Sequence, residues 1–193
     1  LNLDDKEREL LTTNFYNDTF LVDQNACSSP SKVFWLGNDD DNKAAKSLFW
    51  EQLEQRLNAS YSLHPTSRMD KMMDIMKYNA KNSQALWKID LKKDLWVIPL
   101  SDKVEQPEDL KGRLGSFFEK EIEGLLETIP YMSNVEQTIS YHGIPAEDLR
   151  NLIIENGISG VDRIVPIGKA LDMGFNWDGQ NLLSKFSREI NLF

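Results

Sequence analysis

The stretch that decides the fold is Pro30-Ser31-Lys32-Val33-Phe34-Trp35-Leu36-Gly37-Asn38-Asp39. Its centre, Lys32 to Leu36, is short, apolar and bounded by proline on one side and by Gly37-Asn38-Asp39 on the other, which is typical of a buried strand. Residues 41–58 then carry apolar side chains at helical spacing. The sequence therefore predicts a strand followed by a helix.

The same alternation continues on both sides of this stretch. Apolar spacing predicts further helices over 4–16, 65–81, 109–126 and 145–156, the third interrupted near Gly112 to Gly115. Aromatic and β-branched runs predict further strands over 85–89, 95–100, 138–141 and 163–167. Strands that alternate with helices indicate an α/β fold with a largely parallel sheet, and residues 1–193 show no linker that would divide them into two domains.

A methionine stripe marks the helix predicted over 65–81. Met69, Met72, Met73 and Met76 recur at intervals of three and four residues, with Ile75 among them. This spacing is typical of a helix face that packs into a core, and we expect that role for it. A plastic interaction surface is the alternative.

Composition excludes several classes of function. The chain of 193 residues has a net charge of −9 and a pI near 4.8, so it lacks the basic surplus that binding to nucleic acid or anionic lipid requires. No apolar segment approaches the length of a membrane span, and no signal peptide opens the chain, which predicts a cytoplasmic protein. The chain begins with Leu1, and we expect it to be a piece of a longer protein.

Metal and nucleotide sites are not predicted. The sequence has two histidines, His64 and His142, and one cysteine far from both, too few for a zinc site. Gly157-Ile158-Ser159-Gly160 lacks the strand-then-helix arrangement of a dinucleotide motif, and there is no Gly-Lys-Ser/Thr phosphate loop.

Cys27 is the residue best suited to chemistry. It is the only cysteine, and it lies in the polar stretch Asp23-Gln24-Asn25-Ala26-Cys27-Ser28-Ser29-Pro30. Free backbone N–H groups in such a loop can face a developing negative charge, which suits a nucleophile. Composition alone still favours an inert thiol. A pair with His142 would activate the thiol, although a histidine in Tyr141-His142-Gly143 is more often a surface or structural residue.

Three segments resemble the acyl-CoA reductase family of bacterial bioluminescence, the reductase subunit of the luminescent fatty acid reductase complex, which is a branch of the aldehyde dehydrogenase superfamily. They are residues 23–30 with Val33-Phe34-Trp35, residues 160–171, and residues 176–183 followed by Ser187-Arg188-Glu189. In this order the resemblance covers essentially the whole chain. It implies an aldehyde-dehydrogenase-like fold and the thiol-bearing, C-terminal half of a protein about twice as long.

The resemblance also implies a reaction. A fatty acyl group from acyl-CoA or from an acyl-protein synthetase partner would be transferred to Cys27, and NADPH bound by the absent half would reduce the thioester to a long-chain aldehyde. The backbone N–H of Cys27 would contribute to the oxyanion hole. Gln24, Asn25 and Ser28 are candidates for the same site because they adjoin the thiol, and His142 is a second-line candidate. Members of the superfamily commonly form homo-oligomers, an analogy that no segment here supports by itself.

A function of another class is the alternative. The chain would then be a non-catalytic acyl carrier or scaffold that binds an acyl-activating ligase, with a helical face such as the methionine stripe as the interface.

Overall fold

The computed structural model describes residues 3–37, 39–82, 90–102, 106–190 and 192. The helices are α1 (Asp5–Phe20), α2 (Asp39–Ser60), α3 (Pro65–Asn82), α4 (Ala146–Glu155) and α5 (Leu182–Phe186), with 3₁₀ turns at Pro107–Asp109 and Leu125–Tyr131. The strands are β1 (Lys32–Leu36), β2 (Asp90–Leu91), β3 (Trp96–Pro99), β4 (Ser116–Ile122), β5 (Thr138–Tyr141), β6 (Arg163–Pro166), β7 (Asn176–Trp177) and β8 (Gln180–Asn181).

The main sheet has the order β1-β4-β3-β2. Strands β1 and β3 both run parallel to β4, with Lys32 opposite Phe118 and Trp96 opposite Ser116. Only the short edge strand β2 is antiparallel among the described strands of this sheet. The predicted α/β fold with a largely parallel sheet is therefore confirmed.

Each face of the main sheet packs against its own layer of helices. Because successive side chains of a strand point to opposite faces, Phe117 enters one core and Phe118 the other. The first core joins the sheet to α1 and α2, and the second joins it to α3. The first contains Leu11, Phe15, Tyr16, Phe20, Trp35, Phe49, Trp50, Leu53, Leu57, Leu95, Val97 and Phe117, and the second Ile75, Tyr78, Trp96, Ile98, Leu100, Leu110, Phe118 and Tyr131.

A separate parallel pair, β5 and β6, is connected through α4. The strands predicted over 138–141 and 163–167 and the helix predicted over 145–156 are confirmed. After them, β7 and β8 form a hairpin whose turn is Asp178-Gly179, and both of these residues have positive φ, 49° and 67°. A left-handed turn of this kind matches the twist of the strands that it joins.

The prediction of one helix over 109–126 is wrong. These residues include β4, the strand between β1 and β3, although their apolar spacing had suggested a helix. The structure provides partners for the Glu119 carboxylate, which accepts hydrogen bonds from the indole Nε1 atoms of Trp35 (3.1 Å) and Trp50 (2.9 Å). A carboxylate satisfied in this way can lie in a central strand.

The methionine stripe does not pack into the core as predicted. The four side chains are 37–69% exposed, while α3 buries Lys71, Ile75, Tyr78 and Asn79 instead. Exposed methionines and buried side chains alternate along the sequence of α3. The methionines are the more numerous apolar residues, so the sequence suggested that their face was the buried one.

The remaining sequence predictions that fall on described residues differ from the structure only in extent. Helix α1 continues four residues beyond the predicted end, to Phe20, because Thr19 and Phe20 are buried and prolong its apolar face. The strand predicted over 95–100 is β3, and the helices predicted over 41–58 and 65–81 are α2 and α3. The strand predicted over 85–89 lies outside the described residues.

Phe117 and Met73 provide a test of this packing. Phe117 is fully buried against Phe15 and Trp50, with ring centroids 5.3 and 5.4 Å away. We expect Phe117→Ala to lower the free energy of unfolding by about 3–5 kcal/mol because it leaves a cavity. Met73→Ala, at a side chain 53% exposed, should change it by no more than about 0.5 kcal/mol. Denaturant unfolding measures both, and similar losses for the two variants would contradict this assignment of faces.

Candidate active site

Cys27 lies on the loop of residues 21–31, which joins the end of α1 to the start of β1. Its thiol is free and exposed. The loop adjoins the edge of the sheet where β1 and β4 begin, because its Ser31 carbonyl accepts a hydrogen bond from the N–H of Phe118 (2.9 Å). The predicted nucleophile is therefore accessible, on a loop whose end adjoins the central strand.

The loop turns sharply as it leaves α1. Asp23 and Gln24 both have positive φ, 51° and 58°, a left-handed conformation that side-chain-bearing residues rarely adopt. The N–H of Gln24 donates to the carbonyl of Thr19 (2.7 Å), and that of Ser29 donates to the carbonyl of Ala26 (3.0 Å). Within the described part of the chain, the N–H of Cys27 donates to no other group.

Gln24 ties the base of the loop to the sheet. Its Oε1 accepts hydrogen bonds from the N–H groups of Gly115 (2.8 Å) and Ser116 (3.2 Å), at the start of β4. Its Nε2 donates to the carbonyls of Ser116 (3.0 Å) and Pro30 (2.7 Å). Both amide hydrogens are thus used by backbone carbonyls, and the side chain is buried. In this conformation Gln24 holds the two sides of the loop together beneath Cys27.

The other candidates beside the thiol differ in exposure. Asn25 is exposed, whereas Ser28 is 5% exposed. His142 is exposed just beyond the end of β5, and among the described residues no hydrogen bond or ion pair joins it to Cys27. The oxyanion roles of Gln24, Asn25 and Ser28 and the role of His142 stay predictions.

Lys71 is a buried residue of this region that the sequence analysis missed. Its side chain is 1% exposed, and its Nζ donates to the carbonyls of Asp94 (3.0 Å) and Gly115 (3.1 Å) while lying 4.6 Å from the centroid of the Trp96 ring. Burial lowers the pKa of Lys71 to about 7, and the nearby Asp94 carboxylate opposes this shift only in part. The signal in the sequence was its spacing: Lys71 lies four residues before the apolar Ile75 and so shares its helix face.

Gly115 connects Lys71 to Gln24. Its carbonyl accepts from Lys71 and its N–H donates to Gln24. Its φ is +80°, and a Cβ at this position would lie 2.3 Å from the Asp94 carbonyl oxygen, so only glycine fits. The glycines that interrupted the predicted helix therefore mark the turn on which the loop is held.

Asp18 is a second buried charge missed from the sequence. It lies on α1 and is 2% exposed, and its carboxylate accepts from the N–H groups of Gly168 (2.6 Å) and Ala170 (3.0 Å). Burial raises the pKa of Asp18 above its usual range, although these two hydrogen bonds oppose the shift. The Asp18 carbonyl also accepts from the hydroxyl of Ser29 (3.2 Å), so the contact joins the segment after β6 to the Cys27 loop.

The described residues offer little to a metal or a dinucleotide. They contain no cluster of three or more His, Cys, Asp or Glu side chains placed to hold a metal ion. Helix α2 follows strand β1, but the sequence there lacks the glycine-rich pattern of a dinucleotide motif. Within the described ranges, none of the helices is long and apolar enough to cross a bilayer.

The pH dependence of stability tests the burial of Lys71. The Lys71 pKa is about 7 in the folded protein and 10.5 is its ordinary value, so between these pH values the unfolded chain binds more protons. Stability should therefore rise with pH in this window, by up to about 1.4 kcal/mol per pH unit. We expect the difference in unfolding free energy between the wild-type protein and Lys71→Met to show this rise.

Lys120→Met is the matched control for this measurement. The hydrogen bond to Asp102 raises the pKa of Lys120, so its contribution is fully present below pH 10.5 and is lost only above that value. The difference between the wild-type protein and Lys120→Met should therefore be flat between pH 7 and 10.5. A flat difference for Lys71→Met as well would contradict the buried, desolvated Lys71.

Comparison with known proteins agrees with the resemblance in the sequence. A family model described as Acyl-CoA reductase (LuxC) matches residues 5–189. No curated protein matches the chain. The matched residues include the Cys27 loop, the main sheet and the segment around Gly168. The chain therefore belongs to the LuxC family of acyl-CoA reductases, whose fold is aldehyde-dehydrogenase-like.

Proposed function

We propose that residues 1–193 form the thiol-bearing catalytic domain of a fatty acyl reductase in which Cys27 accepts the acyl group. The observation that carries this proposal is the exposed thiol of Cys27, the sole cysteine of a chain that belongs to an acyl-CoA reductase family. The thiol lies at the tip of a loop whose base is fixed by buried hydrogen bonds. A nucleophile needs this combination of access and fixed position.

The proposed first step is transfer of the acyl group from the donor to Cys27. The Cys27 thiolate attacks the carbonyl carbon of an acyl thioester, which forms a carbon–sulfur bond and a tetrahedral oxyanion. Collapse of the oxyanion breaks the carbon–sulfur bond to the donor, whose thiolate leaves and takes up the proton that Cys27 released. The product is an acyl thioester on Cys27. Fatty acyl-CoA and an acyl-protein synthetase are the proposed donors.

The backbone N–H of Cys27 is the proposed donor to the oxyanion. It makes no hydrogen bond within the described residues, so it need not break one to serve this role. The exposed amide of Asn25 is a second candidate donor, whereas the amide hydrogens of Gln24 already bind two carbonyls. We therefore propose that Gln24 supports the loop and that Asn25 is the better candidate for direct contact with the acyl group.

NADPH is the proposed reductant, which supplies the hydride that converts the thioester to an aldehyde. The full sequence contains no glycine-rich phosphate motif, and the helix that follows β1 begins with three aspartates. We therefore propose that NADPH binds to a part of the protein outside residues 1–193 and assign it no residue here.

The test uses full-length protein incubated with radiolabelled fatty acyl-CoA, with and without NADPH. We expect label to attach without NADPH and to leave as aldehyde when NADPH is added. Cys27→Ser should lower the rate of labelling more than about 100-fold, because an alcohol is a far weaker nucleophile than a thiolate at neutral pH.

Ser29→Ala is the control within the same loop. It removes the hydrogen bond to the Asp18 carbonyl but leaves the thiol, so labelling should persist. Labelling that survives in Cys27→Ser would refute the proposed nucleophile. Label that attaches to Cys27 but stays there in the presence of NADPH would favour the non-catalytic acyl carrier instead.

A further inference from the structure

We propose that Lys71 is a positioning residue for the Cys27 nucleophile, acting through Gly115 and Gln24. This inference rests on the proposed function, since it assumes that Cys27 accepts the acyl group. Among the described residues, no hydrogen bond or ion pair joins Lys71 directly to the Cys27 loop. Its effect on acyl transfer would come from the position that it gives to the turn on which the loop is held.

A continuous set of hydrogen bonds links the two residues. Lys71 Nζ donates to the Gly115 carbonyl (3.1 Å), the Gly115 N–H donates to Gln24 Oε1 (2.8 Å), and Gln24 Nε2 donates to the Pro30 carbonyl (2.7 Å). Gln24 and Pro30 are six residues apart, with Cys27 midway between them. A shift of the Gly115 turn would therefore move both sides of the loop that carries the thiol.

Lys71 also binds this turn to its neighbour. The Asp94 and Gly115 carbonyls both point at Nζ, so the ammonium joins the turn before β3 to the turn before β4. The Gly115 carbonyl also accepts from the N–H of Trp96 (2.8 Å), so Lys71 is its second donor, and without Lys71 the Asp94 carbonyl would lose the hydrogen bond from Nζ. The Trp96 ring covers the amine at 4.6 Å from its centroid. An apolar side chain of similar size could fill the space but could not hold the two carbonyls.

The charged groups around Lys71 do not replace it. Arg68, on the same helix as Lys71, pairs with the Asp94 carboxylate (Nη2 to Oδ1, 3.0 Å). Lys93, next to Asp94 in the chain, lies 3.8 Å from the other carboxylate oxygen. Arg113, beside the Gly115 turn, pairs with Asp74 on α3. These ion pairs join side chains, whereas Lys71 donates to the backbone carbonyl of Gly115. Among the described residues, Lys71 is thus the basic side chain that donates to the turn itself.

The test measures the rate of Cys27 acylation in single-turnover experiments on the full-length protein. We expect Lys71→Met to lower the acylation rate constant about tenfold or more, because a displacement of about 1 Å in a reacting group can cost up to 100-fold. The apparent affinity for acyl-CoA should stay within about twofold, since Lys71 is buried away from the thiol. Lys71→Gln retains one donor and should have a smaller effect.

Two controls separate positioning from loss of stability. Ile75→Val, one turn along α3, removes buried volume without touching the hydrogen-bonded set and should destabilise the protein by about 0.5–1.5 kcal/mol while leaving acylation unchanged. Gln24→Met should slow acylation about as much as Lys71→Met, and the double variant should be about as slow as either single one.

Three outcomes would overturn the inference. The first is that Lys71→Met is acylated at the wild-type rate. The second is that Ile75→Val slows acylation as much as Lys71→Met does. The third is that the fold-losses in rate of Lys71→Met and Gln24→Met multiply in the double variant. The control Cys27→Ser keeps this result apart from the proposed function: labelling that survives in Cys27→Ser refutes the nucleophile, whereas labelling lost there but normal in Lys71→Met refutes only the role of Lys71.

Discussion

The burial of β4 between two cores is the constraint on which the rest of the structure depends. Its neighbours β1 and β3 pair with it in parallel, and Phe117 and Phe118 fill opposite faces of the sheet. A strand buried on both faces must begin and end at fixed places, because a shift by one residue would exchange its two faces. The start of β4 is therefore one of the best-defined points of the chain.

The candidate nucleophile takes its position from that point. Gln24 binds Gly115 and Ser116, where β4 begins, and Lys71 binds Gly115 from the helix on the other side of the sheet from α1. The layers on both faces thus contribute to holding one loop. Asp18 adds a third attachment, because its carbonyl accepts from the Ser29 hydroxyl of the loop while its carboxylate binds the backbone at Gly168 and Ala170. Helices packed in both cores therefore help to hold the Cys27 loop in place.

Sequence patterns predicted the elements whose own residues decide their structure. Strand β1 and helix α4 carry apolar runs with clear ends, and both were located within about a residue of their observed bounds. Strand β4 was missed because its apolar residues also fit helical spacing, and because the partners of Glu119, among them Trp35 and Trp50, lie far away in sequence. Cys27 stood out as the only cysteine, in a polar stretch, and the resemblance to a family made it the predicted nucleophile. The backbone partners of Gln24 were not predicted, because adjacency in sequence does not show which carbonyls a side chain reaches.

The loop is rigid at its base and open at its tip, and this division suits transfer from a large donor. Gln24 and Ser28 are buried, whereas Asn25 and Cys27 are exposed. A buried thiol would be protected from water but would also be closed to the thioester of a bulky carrier. A thiol on an unsupported loop would be accessible but would lose the fixed geometry from which catalysis gains. On the proposal that Cys27 accepts the acyl group, buried polar contacts such as those of Gln24 and Lys71 beneath an exposed thiol meet both requirements.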